Sequence, residues 1–128
     1  MLVAHVVDRN VPTVHPQDDV ISAVRRLLDC RCGMLPVVAE EPGGARVVGV
    51  LRYREAFAAT YGRPNDGVHV PVSAAMSPAP CTCRASDSLG RAVRILRRSG
   101  SEALPVVDAD GYLVGVLSFA DLVRSSAG

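Results

Sequence analysis

The chain has 128 residues, 48% apolar and 21% charged, an ordinary globular composition that excludes disorder over most of its length. The net charge of +1, 4% aromatic content and lack of Trp argue against an electrostatic or base-stacking grip on nucleic acid or on an anionic membrane. No apolar run approaches the ~20 residues of a membrane span. Met1–His5 lacks the charged head and apolar stretch of a secretory signal. Four cysteines in two Cys-x-Cys pairs suit a reducing, cytoplasmic setting.

The chain repeats itself. A shift of 69 residues superposes Val3, Thr13, Asp18, Ala23, Val24, Arg25, Leu27 and Leu35–Val38 on identical residues, Val72 to Leu104–Val107. A shift of 66 then superposes Val48–Leu51 on Val114–Leu117. The change of three places an insertion within Ala39–Ala45 of the first copy. This in-order match indicates duplication. The repeats are assigned to residues 1–61 and 70–126, with a Gly- and Pro-containing linker over 62–69.

In chain order, each repeat opens with an extended piece and continues into an amphipathic helix. Val20, Ala23, Val24, Leu27 and Leu28 form its apolar face in the first copy, and Leu89, Ala92, Val93 and Leu96 in the second. Asp18, Asp19 and Asp87 stand where carboxylates suit the free amides of a helix start. Two β-rich runs follow, Leu35–Ala39 with Arg46–Leu51, and Leu104–Val107 with Tyr112–Leu117. They are apolar throughout, which predicts sheets covered on both faces. Pro42-Gly43 suits a type II turn and Asp110-Gly111 a hairpin connection. Closing helices are predicted over Tyr53–Tyr61 and Phe119–Ser126. One unit of this size is too small to bury its sheet alone. The prediction is an α/β (α+β) module of two pseudo-two-fold repeats, each a small sheet flanked by helices, packed sheet to sheet.

These motifs resemble the CBS domain, a family named from cystathionine β-synthase, and two copies in tandem resemble a Bateman module. The second repeat is the closer match, through Ala75-Met76-Ser77, Glu102–Asp108, Gly111–Ser118 and Asp121-Leu122. The resemblance implies regulation rather than catalysis. CBS pairs commonly bind AMP, ADP, ATP or S-adenosylmethionine between repeats, with no cofactor required. It also implies a homodimer through the closing helices, here carrying Phe57, Tyr61, Leu122 and Val123. With no catalytic segment accompanying the repeats, output would pass through an unidentified effector protein or through self-association.

By the same resemblance, Ser118-Phe119-Ala120-Asp121 is the ribose-binding motif, Asp121 accepting bonds from both sugar hydroxyls. The same spacing is also a helix-capping device. The base-binding residues would be Asn10, Val11, Pro12, Cys32, Gly33, Met34 and Pro36, with Val116 on the side of Asp121. Met34 and Cys32 are equally readable as core filler. In the first repeat the motif becomes Arg52-Tyr53-Arg54-Glu55. The longer acid would crowd a sugar, so one competent site at most is expected, unless Arg52 or Arg54 meets a phosphate. A ligand-free dimerisation or protein-interaction module is the alternative.

A third reading is a metal or redox sensor built on Cys30, Cys32, Cys81 and Cys83. Its spacing differs from the Cys-x₂₋₄-Cys of zinc sites, and the two pairs fall at different points of the repeat. His5, His15 and His69 are scattered and form no catalytic set. Arg91, Arg94, Arg97 and Arg98 make a basic helix face, readable as a solvated surface or as a dock for an acidic partner rather than for nucleic acid.

Overall fold

A computed structural model describes residues 1–30, 33–61, 69–78 and 80–127. The predicted linker therefore lies outside the described residues, apart from His69. The first repeat runs α1 (Val20–Cys30), β1 (Met34–Glu41), β2 (Gly44–Arg52) and α2 (Tyr53–Thr60). The short α3 (Val72–Ala75), β3 (Ser77–Pro78) and β4 (Cys83–Arg84) follow. The second repeat continues with α4 (Leu89–Ser99), β5 (Ala103–Val107), β6 (Leu113–Ser118) and α5 (Phe119–Ala127). The strands form two three-stranded sheets, ordered β1-β2-β3 and β4-β5-β6. Among the described residues no helix is long and apolar enough to cross a membrane.

Contacts divide the chain into two compact units that cut across the repeats. One contains Met1–Val11, Glu40–Val47 and Cys81–Gly128; the other contains Pro12–Ala39 and Val48–Pro80. Each repeat is thus completed by the extended segment that precedes the other. In the first unit, Val3 N–H donates to Asp87 O and Ala4 N–H to Ala85 O, both at 2.9 Å. Asp8 and Val116 exchange backbone bonds of 3.0 and 2.9 Å. In the second unit, Val20 N–H donates to Val70 O and Val72 N–H to Asp18 O, both at 2.8 Å, while Val50 pairs with Ser77.

The two cores duplicate each other. Val14, Ala23, Leu27, Leu35, Val37, Leu51, Ala56 and Val72 form the first. Their counterparts are Cys83, Ala92, Leu96, Leu104, Val106, Leu117, Leu122 and Val3, with Leu122 only partly buried. A fully buried Leu contributes about 1.5–3 kcal/mol. The all-apolar strand segments Met34–Val38 and Ala103–Val107 are buried at every position, as continuous runs require. Leu28 departs from its predicted place on the α1 face and is 58% exposed. Its position falls beside Leu27, and the face narrows to Val20, Ala23 and Leu27.

Ser88 caps α4, its Oγ accepting from Arg91 N–H at 3.2 Å, and Gly100 ends it in the left-handed region at φ 66°. Asp19 accepts from Ser22 N–H at the start of α1. The Asp110-Gly111 turn forms with Gly111 at φ 86° and the Asp108 carboxylate accepting from Asp110 and Tyr112 N–H. At Pro42-Gly43 the type II expectation fails, because the positive φ, 149°, falls on Gly44 instead. The displacement accommodates Tyr112, whose ring would meet a Cβ at either glycine.

The inserted residues of the first repeat lengthen its hairpin, and the tip is clasped within the Cys81–Gly128 unit. The Arg46 guanidinium makes paired bonds to Glu41 of 2.8 and 3.1 Å and donates to Asp110 O at 2.9 Å. It also lies 4.9 Å from the Tyr112 ring centroid, and Tyr112 Oη donates to Glu41 at 3.2 Å. Hydrogen bonding by Arg46 holds the Glu41 carboxyl below its usual pKa, against a smaller opposing effect of burial.

Gly49 and Gly115 occupy matching positions in β2 and β6. A Cβ at Gly49 would lie 2.9 Å from Ser77 O, and one at Gly115 would collide with Asp8 O. Gly115→Ala is expected to destabilise the chain by about 1–3 kcal/mol through overpacking, lowering the melting temperature by several degrees. Gly90→Ala on α4, where a Cβ meets nothing within 4 Å, is expected to leave it unchanged or slightly raised. Thermal melts of both variants check the difference.

Candidate functional site

The strand β6 runs directly into α5, so Ser118 falls at the helix start and Asp121 in its first turn. Phe119 N–H donates to Glu102 O at 2.8 Å, tying this junction to the beginning of β5. Ser118 and Asp121 bond reciprocally. Asp121 N–H donates to Ser118 Oγ at 3.1 Å, and Asp121 Oδ2 accepts from Ser118 N–H at 3.1 Å and Ser118 Oγ at 2.9 Å. The other carboxylate oxygen, Oδ1, accepts from Arg124 at 2.5 Å. Burial alone would raise the Asp121 pKa, but hydrogen bonds from Ser118 and Arg124 together hold it below the usual value. The carboxylate is therefore ionised, oriented and 14% exposed.

The same junction in the first repeat carries different chemistry. Glu55 Oε1 accepts from Arg52 Nε at 2.6 Å and Oε2 from Arg54 Nε at 3.1 Å. Arg52 supplies no side-chain cap to α2. Both oxygens of Glu55 thus face guanidinium groups, and its side chain is 12% exposed.

Of the residues singled out in the sequence, one unit brings together Asn10, Val11, Val116, Ser118 and Asp121. Asp8 pairs with Val116, and Asn10 follows with its N–H on the Asp8 carboxylate at 2.9 Å. Pro12, Gly33, Met34 and Pro36 belong to the other unit, where Pro36 O accepts from Val14 N–H. Met34 and Val116 are each 2% exposed, and Pro36 is also buried. Cys32 lies outside the described residues.

The cysteines do not present four free thiols. Cys30 is disulfide-bonded, whereas Cys81 and Cys83 are free. Cys83 holds the core position that Val14 holds in the first repeat. Burial, with a contribution from Asp87, pushes its pKa up to about 11, which leaves a protonated, unreactive thiol. Among the described residues no group of three or more His, Cys, Asp or Glu could hold a metal ion. His15 and His69 each lie 3.6 Å from a carboxylate, of Asp18 and Asp19 respectively, and His5 accepts from Leu2 N–H.

One feature escaped the sequence reading: an open cavity of about 560 Å³ whose lining includes Cys83, Arg84, Asp87, Arg91, Ile95 and Val107. It lies at the hairpin end of β5. The Ser118–Asp121 junction is at the other end, where Ala103 pairs with Ser118. No spacing motif marks the cavity, because strand pairing and the Asp108 turn create it.

Comparison with known proteins agrees with the duplicated architecture. The CBSX2 protein of Arabidopsis thaliana, a chloroplastic CBS domain-containing protein, is 43% identical over 51 residues. That match covers 40% of this chain and 21% of the relative, so the chain spans about a fifth of the curated relative's length. A crystal structure of CBSX2 in complex with AMP superposes with a TM-score of 0.81 at 28% identity, covering 98% of this chain and 96% of that one. The CBS domain pair of protein MJ0100, solved with 5′-methylthioadenosine and S-adenosyl-L-methionine, gives a TM-score of 0.81 at 18% identity, over 100% and 97% of the chains. The CBS domain family matches residues 3–62 and 72–128. With two copies of one core and two copies of one strand-to-helix junction, the chain belongs to the CBS-domain family and carries a pair of its repeats.

Proposed function

We propose that the chain is a regulatory module that binds an adenosine derivative at Asp121 and reports occupancy through a dimer or an effector protein. The observation that carries the reading is the Asp121 carboxylate, ionised and aimed by Ser118 at the start of α5. The AMP complex of the 28% identical CBSX2 supports the ligand class. A carboxylate offers about four lone-pair positions. Ser118 takes two on Oδ2 and Arg124 one on Oδ1. A ribose diol needs two acceptors, so one present donor must yield. Arg124, with a side chain 75% exposed, is the cheaper to displace, since exposed pairs contribute only about 0–1 kcal/mol. The α5 N-terminus then favours a nearby phosphate. In the first repeat Arg52 and Arg54 occupy Glu55, which supports a single diol site.

The ligand-free interaction module is the second reading, favoured by apolar side chains on both closing helices. Tyr53, Phe57 and Tyr61 are 47%, 62% and 73% exposed on or just after α2, with the last two rings stacked at 4.9 Å. On α5, Phe119 and Val123 are exposed, whereas Leu122 turns inward onto the core. We place the homodimer contact on these exposed side chains; the disulfide at Cys30 argues against the reducing setting that the cysteine spacing suggested.

Thermal melts with AMP, ADP, ATP and S-adenosylmethionine at about 1 mM test the sensor. A ligand at a hundred times its Kd adds about 2.7 kcal/mol. The shift is expected for at least one ligand and is expected to vanish in Asp121→Asn with the fold retained. No shift for any of them sinks the sensor reading. The lowered pKa of Asp121 also predicts a pH signature. Its contribution to stability is present above the ordinary carboxylate pKa of about 3.9 and is lost as pH falls through the folded value. The melting difference between wild type and Asp121→Asn should therefore shrink on acidification from neutral pH. Light scattering checks the dimer: Phe57→Glu is expected to yield monomer, and a monomeric wild type would refute it.

A further inference from the structure

The face of α4 carries four arginines and no acid. Arg91, Arg94, Arg97 and Arg98 are all exposed. Arg91 alone has an acidic partner among the described residues, Asp87 at 3.6 Å. The helix contributes four positive charges to a chain of net +1, leaving −3 on the rest.

The fold does not require this charge. The duplicated helix α1 bears Ser22, Arg25, Leu28 and Asp29 at the matching positions and builds the equivalent core. Arg97 and Arg98 suit the negative end of the α4 dipole. Arg91, in the first turn, is offset by Asp87, whereas Arg94 sits mid-helix away from either end of the dipole. The pairs 91/94, 94/97 and 94/98 are like charges at i,i+3 and i,i+4, spacings at which they repel. The like-charge crowding around Arg94, which the sister helix avoids, points to a use outside the folded chain.

We propose that the arginine face of α4 docks an acidic surface of a partner protein. The face runs to the rim of the 560 Å³ cavity, which Arg91 and Ile95 both line. Ile95 and Val107 give that cavity an apolar part of its lining, beside Arg84. The lining also includes Asp87, Asp108 and Asp110. These carboxylates repel a continuous phosphate backbone or a uniformly anionic membrane, but leave room for separate acidic side chains set against separate guanidinium groups. No aromatic residue on α4 offers a base-stacking platform. The inference does not depend on nucleotide binding at Asp121, which lies at the opposite end of β5.

The test uses the full, nucleotide-free chain and a fluorescent peptide of about twenty residues in which single Glu residues are separated by Ser and Gly, followed by polarisation. Binding is expected at about 50 mM salt and should weaken at least roughly tenfold by about 200 mM. Arg94→Glu with Arg98→Glu should abolish it at an unchanged melting temperature, and the milder Arg94→Gln with Arg98→Gln should weaken it. Arg25→Glu on α1 should leave it intact. The proposal is overturned if the wild type does not bind the peptide or if Arg25→Glu is equally damaging. It is also overturned if an oligonucleotide of equal charge or phosphatidylglycerol vesicles bind more tightly than the peptide.

Discussion

Everything in this molecule depends on the close passage of one backbone across a glycine, made twice. At Gly115 the Asp8 carbonyl, with the Val7 side chain, lies where a Cβ would otherwise begin, and at Gly49 the Ser77 carbonyl, with the Met76 thioether, does the same. The approach lets Asp8 bond to Val116, and Ser77 pair with Val50. The bonded segments bring Val3 and Val72 to zero exposure inside the two cores. Each core is closed by residues that precede the opposite repeat, which is why the repeats of the sequence and the compact units of the fold have different boundaries.

The duplication was open to reading because the core obeys it position by position. Ala23 and Ala92, Leu27 and Leu96, and Leu35 and Leu104 are the same residue in the same packing role. Periodicity could not say which extended segment completes which sheet, since that choice rests on backbone pairing rather than on side-chain pattern. It also overcounted the apolar faces. Leu28 and Leu122 are equally hydrophobic in sequence, yet Leu28 faces outward while Leu122 faces inward. The turn at Pro42 was misread for a related reason: Tyr112, far along the chain, sets the backbone at Gly43 and Gly44.

The candidate site was legible in part. The spacing of Ser118 and Asp121 is visible, and so is the loss of that pattern at Arg52 and Glu55. What spacing cannot express is competition for lone pairs. Arg124, one turn beyond Asp121, occupies one carboxylate oxygen, while Arg52 and Arg54 close on Glu55 from both sides. The two junctions have therefore diverged from a shared helix start into one carboxylate bonded by a serine and an exposed arginine and one flanked by two arginines. Duplication supplied the geometry, and a few arginines set the chemistry of each copy.

The crossed segments also set the order in which the chain can fold during synthesis. The Pro12–Pro80 stretch contains most of its own core and can close once α3 and β3 have left the ribosome. Met1–Val11 cannot. Its partners are Ala85, Asp87, Ser88, Leu89 and Val116, so this segment must wait until α4 and β6 are available. During that interval Val3, Val6 and Val7 are unburied, and their later docking is a long-range pairing of the kind that slows folding and invites mispairing. A nascent chain of this design leaves an early apolar segment exposed, and the burden of protecting it falls on the elongation rate and on chaperones rather than on the finished fold.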